Sequence, residues 1–223
     1  TSNDSSDFTL SKALTWGLIH ESYIRFLNEE IKKINPNKVL DAGCGDGRVL
    51  FELEKELKET ELTGIDISVK ALSFAKAFTK KTALVKHDIT EKPFLGDFDL
   101  CVSIEVIEHI PPELINKYVE NIAKSLGSRG KLVLTTPTTN IATTTKHYQH
   151  FTKEILEEHL NPYFKIIDVQ YQNVVNRRSH FLSRILVNKY FTITNKNLCN
   201  RIFDYYCKKF FIGTKQTGSR IYI

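Results

Sequence analysis

The stretch "KVLDAGCGDGRVL", Lys38–Leu50, decides the fold. A short apolar run, Lys38–Ala42, leads into three glycines at alternate positions, Gly43, Gly45 and Gly47, and a charged, helix-like segment follows from Arg48. Glycine at such a point lets the chain turn tightly and lets a ligand approach the backbone with no Cβ in the way. The plainer reading is a strand-to-helix turn that happens to be glycine-rich. Three glycines in alternation directly after a strand argue against it. Asp41 stands before the turn and Asp46 inside it.

Outward from this stretch the pattern alternates. Apolar residues recur at near-helical spacing from Leu10 to Ile34, and Asn35-Pro36-Asn37 ends that helix. Strands are expected at Lys38–Ala42, Glu61–Asp66, Ala83–His87, Phe98–Ser103, Gly130–Thr136 and Phe164–Val169. Helices are expected between them, at Arg48–Leu57, Val69–Phe78, Pro112–Leu126 and Thr152–Leu160, with Ser68 and Thr152 as caps. Strands alternating with helices mean a parallel sheet covered on both faces. After Val169 two aromatic, basic helical segments, about Ser179–Tyr190 and Asn197–Phe210, precede a last strand in "GSRIYI". The expected organisation is one domain: residues 1–34 a leading helix, 38–170 the core, 171–217 an insertion and 218–223 the final strand.

In an open α/β sheet the ligand sits beyond the carboxyl ends of the strands. A dinucleotide fingerprint would place its third glycine one residue later, where this chain has Arg48, which argues against NAD. The second strand ends in "TGIDIS", with Asp66 at its tip, and a carboxylate there can accept from both ribose hydroxyls of an adenosine. The third ends in "KHDIT", which puts Asp88 and Ile89 where an adenine would meet a polar group and an apolar wall.

"VLDAGCGDGRVL", "TGIDIS", "HDIT", "FDLCVSIEVIEHI" and "GKLVLTTP" together resemble, in order and spacing, class I S-adenosylmethionine-dependent methyltransferases over about Val39 to Leu160. The resemblance implies a Rossmann-like α/β fold with a mostly parallel seven-stranded sheet whose last strand is antiparallel, a helical N-terminal lid and a helical C-terminal insertion. It implies S-adenosylmethionine as cofactor, with S-adenosylhomocysteine as product. Asp41 and the turn Gly43, Cys44, Gly45, Asp46 and Gly47 would hold its methionine part. Asp66 and Ile67 would hold the ribose end, Asp88 and Ile89 the adenine, and Ser103, Ile104 and Glu105 would line the site near the sulfonium.

Alignment and exclusion of water are the main demands on a protein that transfers an activated methyl group. A base helps when the nucleophile is protonated at neutral pH, and His109 in "SIEVIEHIPPE" is the expected one for a hydroxyl. The plainer role for His109 is capping or packing the following helix. Glu105, Glu108 and His109, joined by His147 or His150 of "KHYQHFT", also resemble the divalent-metal site of small-RNA 2′-O-methyltransferases and quinone-pathway O-methyltransferases. No metal is assigned from this. His150 is read instead as a substrate-pocket residue, since small-molecule members of the family carry a His-Phe-Thr step there.

Charge is unevenly placed. Residues 171–223 hold 10 Lys/Arg and one acid, Asp204, leaving 21 basic and 25 acidic residues ahead of them. Ten aromatic residues share that basic tail. The aromatics alone are as readily the core of a helical cap with Lys and Arg solvated; the one-sided charge points to an anionic partner. A small-molecule or saccharide acceptor is expected, with an anionic lipid surface as partner and nucleic acid less favoured. The polar, acidic start and the lack of a long apolar run suggest a cytoplasmic protein, peripheral at most to the inner membrane surface. The four cysteines lack metal-type pairing and read as reduced thiols.

Overall fold

The computed structural model describes residues 14–186, 193 and 195–223. Seven strands form one sheet in the order β3-β2-β1-β4-β5-β7-β6. They are β1 Lys38–Ala42, β2 Glu61–Asp66, β3 Ala83–Lys86, β4 Phe98–Ile104, β5 Leu126–Pro137, β6 Gln170–Val174 and β7 Gly218–Tyr222. β1 to β5 pair in parallel, and β7 runs antiparallel to both β5 and β6. The Rossmann-like sheet with one reversed strand is therefore as the sequence implies.

Helices cover both faces, and the central strands are largely apolar because both of their faces are buried. α1 (Leu14–Ile34) and α2 (Arg48–Glu56) lay Ile24, Leu27, Ile31, Leu50 and Leu53 against Val39, Leu100 and Val102. On the other face α4 (Ile115–Ser125) and α5 (Lys153–Leu160) bury Tyr118, Val119, Ile122, Leu156 and Leu160 against Leu40, Cys101 and Leu134. α3 (Val69–Phe78) packs beside α2 and is capped by the Ser68 hydroxyl, which accepts from the Ala71 amide. A third cluster, Leu18, Cys199, Phe203, Tyr206 and Phe210, joins α1 to α7 (Lys196–Tyr206), with Leu182 and Leu186 of α6 (Arg177–Leu186) against it.

Several boundaries differ from expectation, and β5 starts at Leu126, four residues before the expected Gly130. Phe164–Val169 forms no strand; Phe164, Ile166 and Val169 pack on the core, but β7 reaches only Tyr222, whose partner is Gln170. The strand is Gln170–Val174, so the insertion begins after Val174 and not at residue 171. Pro112–Leu114 is a 3-10 turn, and α4 proper starts at Ile115. The last turn after α7 widens into a π-helix at Cys207–Phe211. The expected helix start at Leu10 and helix end at Tyr190 lie outside the described residues.

Candidate active site

β1 ends where the glycine turn begins. The Gly43 and Cys44 amides donate to the Ile65 carbonyl at 2.9 and 3.0 Å, folding the turn back onto β2. All three glycines have positive φ, at 84°, 54° and 78°. A Cβ on Gly47 would stand 2.7 Å from that of Ala75, so glycine there lets α2 start hard against α3. Gly45 has no heavy atom within 4 Å of its Cβ position: the turn is bare toward open space. Its amide donates to Asp66 Oδ2 at 2.9 Å, and the Ser68 amide donates to Oδ1 at 2.7 Å. Asp66 is thus fixed by the turn it faces, and each carboxylate oxygen keeps a lone pair for a ligand.

Asp41, one residue before the end of β1, is 2% exposed. Burial, and then the nearby Asp66 carboxylate, push its pKa up to about 8. Its Oδ2 is buried and has no hydrogen-bond partner. A neutral acid with an unpartnered buried oxygen beside a bare backbone turn is what a cationic group of a ligand would complete. Cys44 is buried beside it, and burial raises its thiol pKa, so it is inert as a nucleophile. Asp46 is exposed and accepts from the Arg48 amide.

The adenine side needs correction. Ile89 is only 6% exposed and belongs to the core, where its carbonyl accepts from Asn121. Asp88 spends Oδ1 on the Thr90 amide and hydroxyl. The apolar surface actually left open is Ile67, 65% exposed, next to Asp66. Ser103 is fully buried and bonded to the Tyr118 hydroxyl, so its side chain faces the core instead of lining the cleft. Ile104 packs partly buried beside the α1 face.

After β4 the chain turns through Glu105, at φ 58°. Its carboxylate meets Arg220 of β7 in a bidentate pair, Nε to Oε1 and Nη2 to Oε2, both 2.9 Å, and Oε1 also accepts from Thr135. Burial would raise the Glu105 pKa, but the guanidinium charge and these hydrogen bonds hold it below the usual range. Arg220 in turn lies 3.9 Å over the Tyr23 ring of α1, and the Tyr23 hydroxyl bonds His20 Nδ1. Arg220 escaped the sequence reading, although an arginine inside the otherwise apolar last strand was its signal.

Glu108, 1% exposed, accepts from Thr136 through Oε2 and leaves Oε1 without a partner. Burial and then Glu105 raise its pKa. Glu108, His109 and His147 bring one ligand atom each within 4.8 Å of one another. The tautomers follow from the hydrogen bonds. His150 Nδ1 faces the Ile141 carbonyl and must donate, so neutral His150 accepts at Nε2 from His147 Nδ1. His147 Nε2 is then a lone pair, and so is His109 Nε2, because His109 Nδ1 donates to the Lys146 carbonyl. His150, read from the sequence as a substrate-pocket residue, is 6% exposed and orients His147.

Similarity to known proteins agrees with this geometry. A family model described as a methyltransferase domain matches residues 39–130. The ubiquinone biosynthesis O-methyltransferase of Glaesserella parasuis is 31% identical over 121 residues, which are 49% of this chain and 50% of that one. The chain spans about half the length, or less, of the first curated relatives it matches. A SAM-dependent methyltransferase from Archaeoglobus fulgidus shares the fold, with a TM-score of 0.60 at 17% identity over 89% of this chain and 92% of that one. So does the Burkholderia thailandensis 1,6-didemethyltoxoflavin-N1-methyltransferase, solved with S-adenosylhomocysteine, at 0.56 and 20% over 69% and 70%. With the glycine turn, the two acids and the reversed last strand in place, residues 39–130 match a methyltransferase-domain family, and the fold is the one seen in S-adenosylmethionine-dependent methyltransferases.

Proposed function

We propose that this chain methylates a hydroxyl oxygen of a small-molecule or glycan-type acceptor, using S-adenosylmethionine. The carrying observation is the buried Asp41 oxygen without a partner beside the open face of Gly45. Asp41 and the turn suit the ammonium and carboxylate of the cofactor's methionine, Asp66 its ribose hydroxyls and Ile67 an adenine face. Bound there, S-adenosylmethionine would supply an activated methyl group to a hydroxyl oxygen, whose proton would pass to a base. His109 is that base: Nδ1 is tied to Lys146 and Nε2 is free to accept the proton. α1 and the insertion close the cleft as its lid.

Titration calorimetry with S-adenosylhomocysteine, with NAD as control, tests the reading. Micromolar binding of the former and none of the latter is expected, and radiolabelled methyl transfer to a hydroxyl acceptor follows. Absence of S-adenosylhomocysteine binding overturns the assignment; binding without turnover on any hydroxyl acceptor leaves a cofactor-binding module instead.

The lone pairs of His109 and His147 beside Glu108 favour a second reading, in which a divalent ion assists. Two imidazoles and a carboxylate fit Mn²⁺ better than Mg²⁺, and a cation there would neutralise the buried acid. Such an ion would supply Lewis acidity toward the acceptor oxygen. Mn²⁺ titration followed by electron paramagnetic resonance should then show one site that Glu108→Gln weakens at least tenfold. The exposed Phe181, Ile185 and Tyr205 among Arg177, Arg178, Arg184, Lys208 and Lys209 suit an anionic lipid surface. Co-sedimentation with vesicles containing phosphatidylglycerol, and not with phosphatidylcholine alone, is the expected result. An RNA acceptor would instead show binding that falls steeply with salt.

A further inference from the structure

A cavity of about 220 Å³ lies between α1, the end of β4 and β7, lined by Ile19, His20, Tyr23, Glu105 and Arg220. Glu105, directly after β4, is the one lining residue that the sequence places at the cofactor; the other four lie outside the glycine turn and the strand-end acids, so the cavity adjoins the cofactor end of the sheet. Its walls carry charges that cancel. Arg220 spends Nε and Nη2 on Glu105, and both Glu105 oxygens face that guanidinium. His20 and Tyr23 are bonded to each other. Burial, and then the Arg48 and Arg220 charges, lower the His20 pKa to about 4, so the ring adds no charge near neutral pH.

Lone pairs can be counted on Glu105. Oε1 accepts from Arg220 Nε and from the Thr135 hydroxyl, which fills it. Oε2 accepts from Arg220 Nη2 alone and can take one more donor. The side chain is 26% exposed, so that position is reachable from the cavity. Its left-handed backbone points the carboxylate out of the strand line toward β7, and the ion pair with Arg220 keeps it there.

We propose that this cavity seats the methyl acceptor, and that it takes an uncharged, hydroxyl-bearing ring whose hydroxyl donates to Glu105 Oε2, which then stands in place of His109 as the group facing that hydroxyl. This rests on the methyltransferase reading and narrows it. A ligand carboxylate or phosphate would face the Glu105 carboxylate, and the one Arg220 nitrogen without a partner, Nη1, is buried out of reach of solvent. A ligand ammonium would compete with Arg220 for an acid already held on both oxygens. The uncharged hydroxyl supplies the one donor that is missing and leaves the pair intact. The size suits a single six-membered ring, aromatic or saccharide, with Ile19 as its apolar wall. The anionic partner read from the basic tail then belongs to another surface, not to the reacting end.

Saturation-transfer NMR on the protein loaded with S-adenosylhomocysteine tests this at pH 7 with four probes: phenol, methyl β-glucopyranoside, benzoate and benzylamine. Phenol or the glycoside is expected to bind at least fivefold more tightly than either charged ring, and which of the two binds identifies an aromatic or a saccharide source. Ile19→Phe, which fills the cavity, should abolish that binding while the affinity for S-adenosylhomocysteine stays within twofold. Thr135→Val frees a second acceptor position on Glu105 without touching the cavity wall, and should leave the preference for uncharged probes in place. Equal or tighter binding of benzoate, no binding of either neutral probe, or neutral binding unmoved by Ile19→Phe overturns the proposal. If S-adenosylhomocysteine itself does not bind, the methyltransferase reading fails first, and the same titrations without it still report on the cavity.

Discussion

Asp41 sets burial against ionisation. Its ordinary pKa of 3.8 is raised to about 8 by burial and then by Asp66. An acid raised in this way holds its proton in the folded chain where the unfolded chain has lost it. Its contribution is therefore present below pH ~4 and is lost as pH rises through about 8. Stability of the free protein should fall across that range, and Asp41→Asn should flatten the slope in thermal unfolding at pH 5, 6, 7 and 8. A cationic group docking beside Asp41 reverses its pKa shift, so cofactor binding near pH 7 should release about one proton. Calorimetry in two buffers of different ionisation enthalpy reads that proton, and Asp41→Asn should remove it. Asp66→Ala should weaken S-adenosylhomocysteine at least thirtyfold while circular dichroism stays native; unchanged affinity would refute the ribose assignment. Which acids stand at strand tips was legible from sequence, because the strands themselves were. That Asp41 prefers its neutral form, that Ser103 turns inward to Tyr118, and that Ile67 rather than Ile89 stays open depend on packing between distant segments.

At the scale of elements, the glycine turn separates folding from binding. Gly47→Ala forces a φ of 78° and a 2.7 Å contact on α3, and should cost ~2–3 kcal/mol in denaturant unfolding. Gly45→Ala meets no neighbour, so only its φ of 54° is strained, and it should cost ~1 kcal/mol. Its effect on S-adenosylhomocysteine binding should be the larger of the two, because its methyl enters the space the turn leaves open. The alternation of periods made β1 to β5 and their helices readable, since each buries a face with its own spacing. The same reasoning put the sixth strand at Phe164–Val169, six residues early. That segment has apolar residues to bury and does bury Phe164, Ile166 and Val169, yet pairing is decided by β7, which no local pattern in the segment reports.

Across the whole molecule, the basic cap meets the sheet through a polar layer. Gln172 and Arg220 are register partners on β6 and β7, and Asn173, at φ 56°, bonds Ser22 of α1 and Tyr206 of α7. Both amide atoms of Gln172, Nδ2 of Asn173 and Nη1 of Arg220 are buried without partners. Buried polar atoms left unpaired cost ~1–3 kcal/mol each, so the layer between cap and sheet is held less tightly than the two apolar cores beneath. Gln172→Leu should raise the unfolding midpoint, and it should slow amide exchange in α1 and α7 relative to α4; a lower midpoint would show that the amide is satisfied by bound water. The split between a basic tail and an acidic body was plain from composition, whereas the pairing of Glu105 with Arg220, 115 positions away, was not.

β7 lies between β5 and β6, so β6 has no strand of the sheet to join until β7 is in place. Chain order and assembly order therefore differ at this edge. A ribosome releases β6 before β7, and in that interval β5 presents an open edge while β6 waits unattached with the cap sequence behind it. Trimming residues 218–223 would accordingly detach two strands and not one, and would take away Arg220, the partner that holds Glu105 in the cleft.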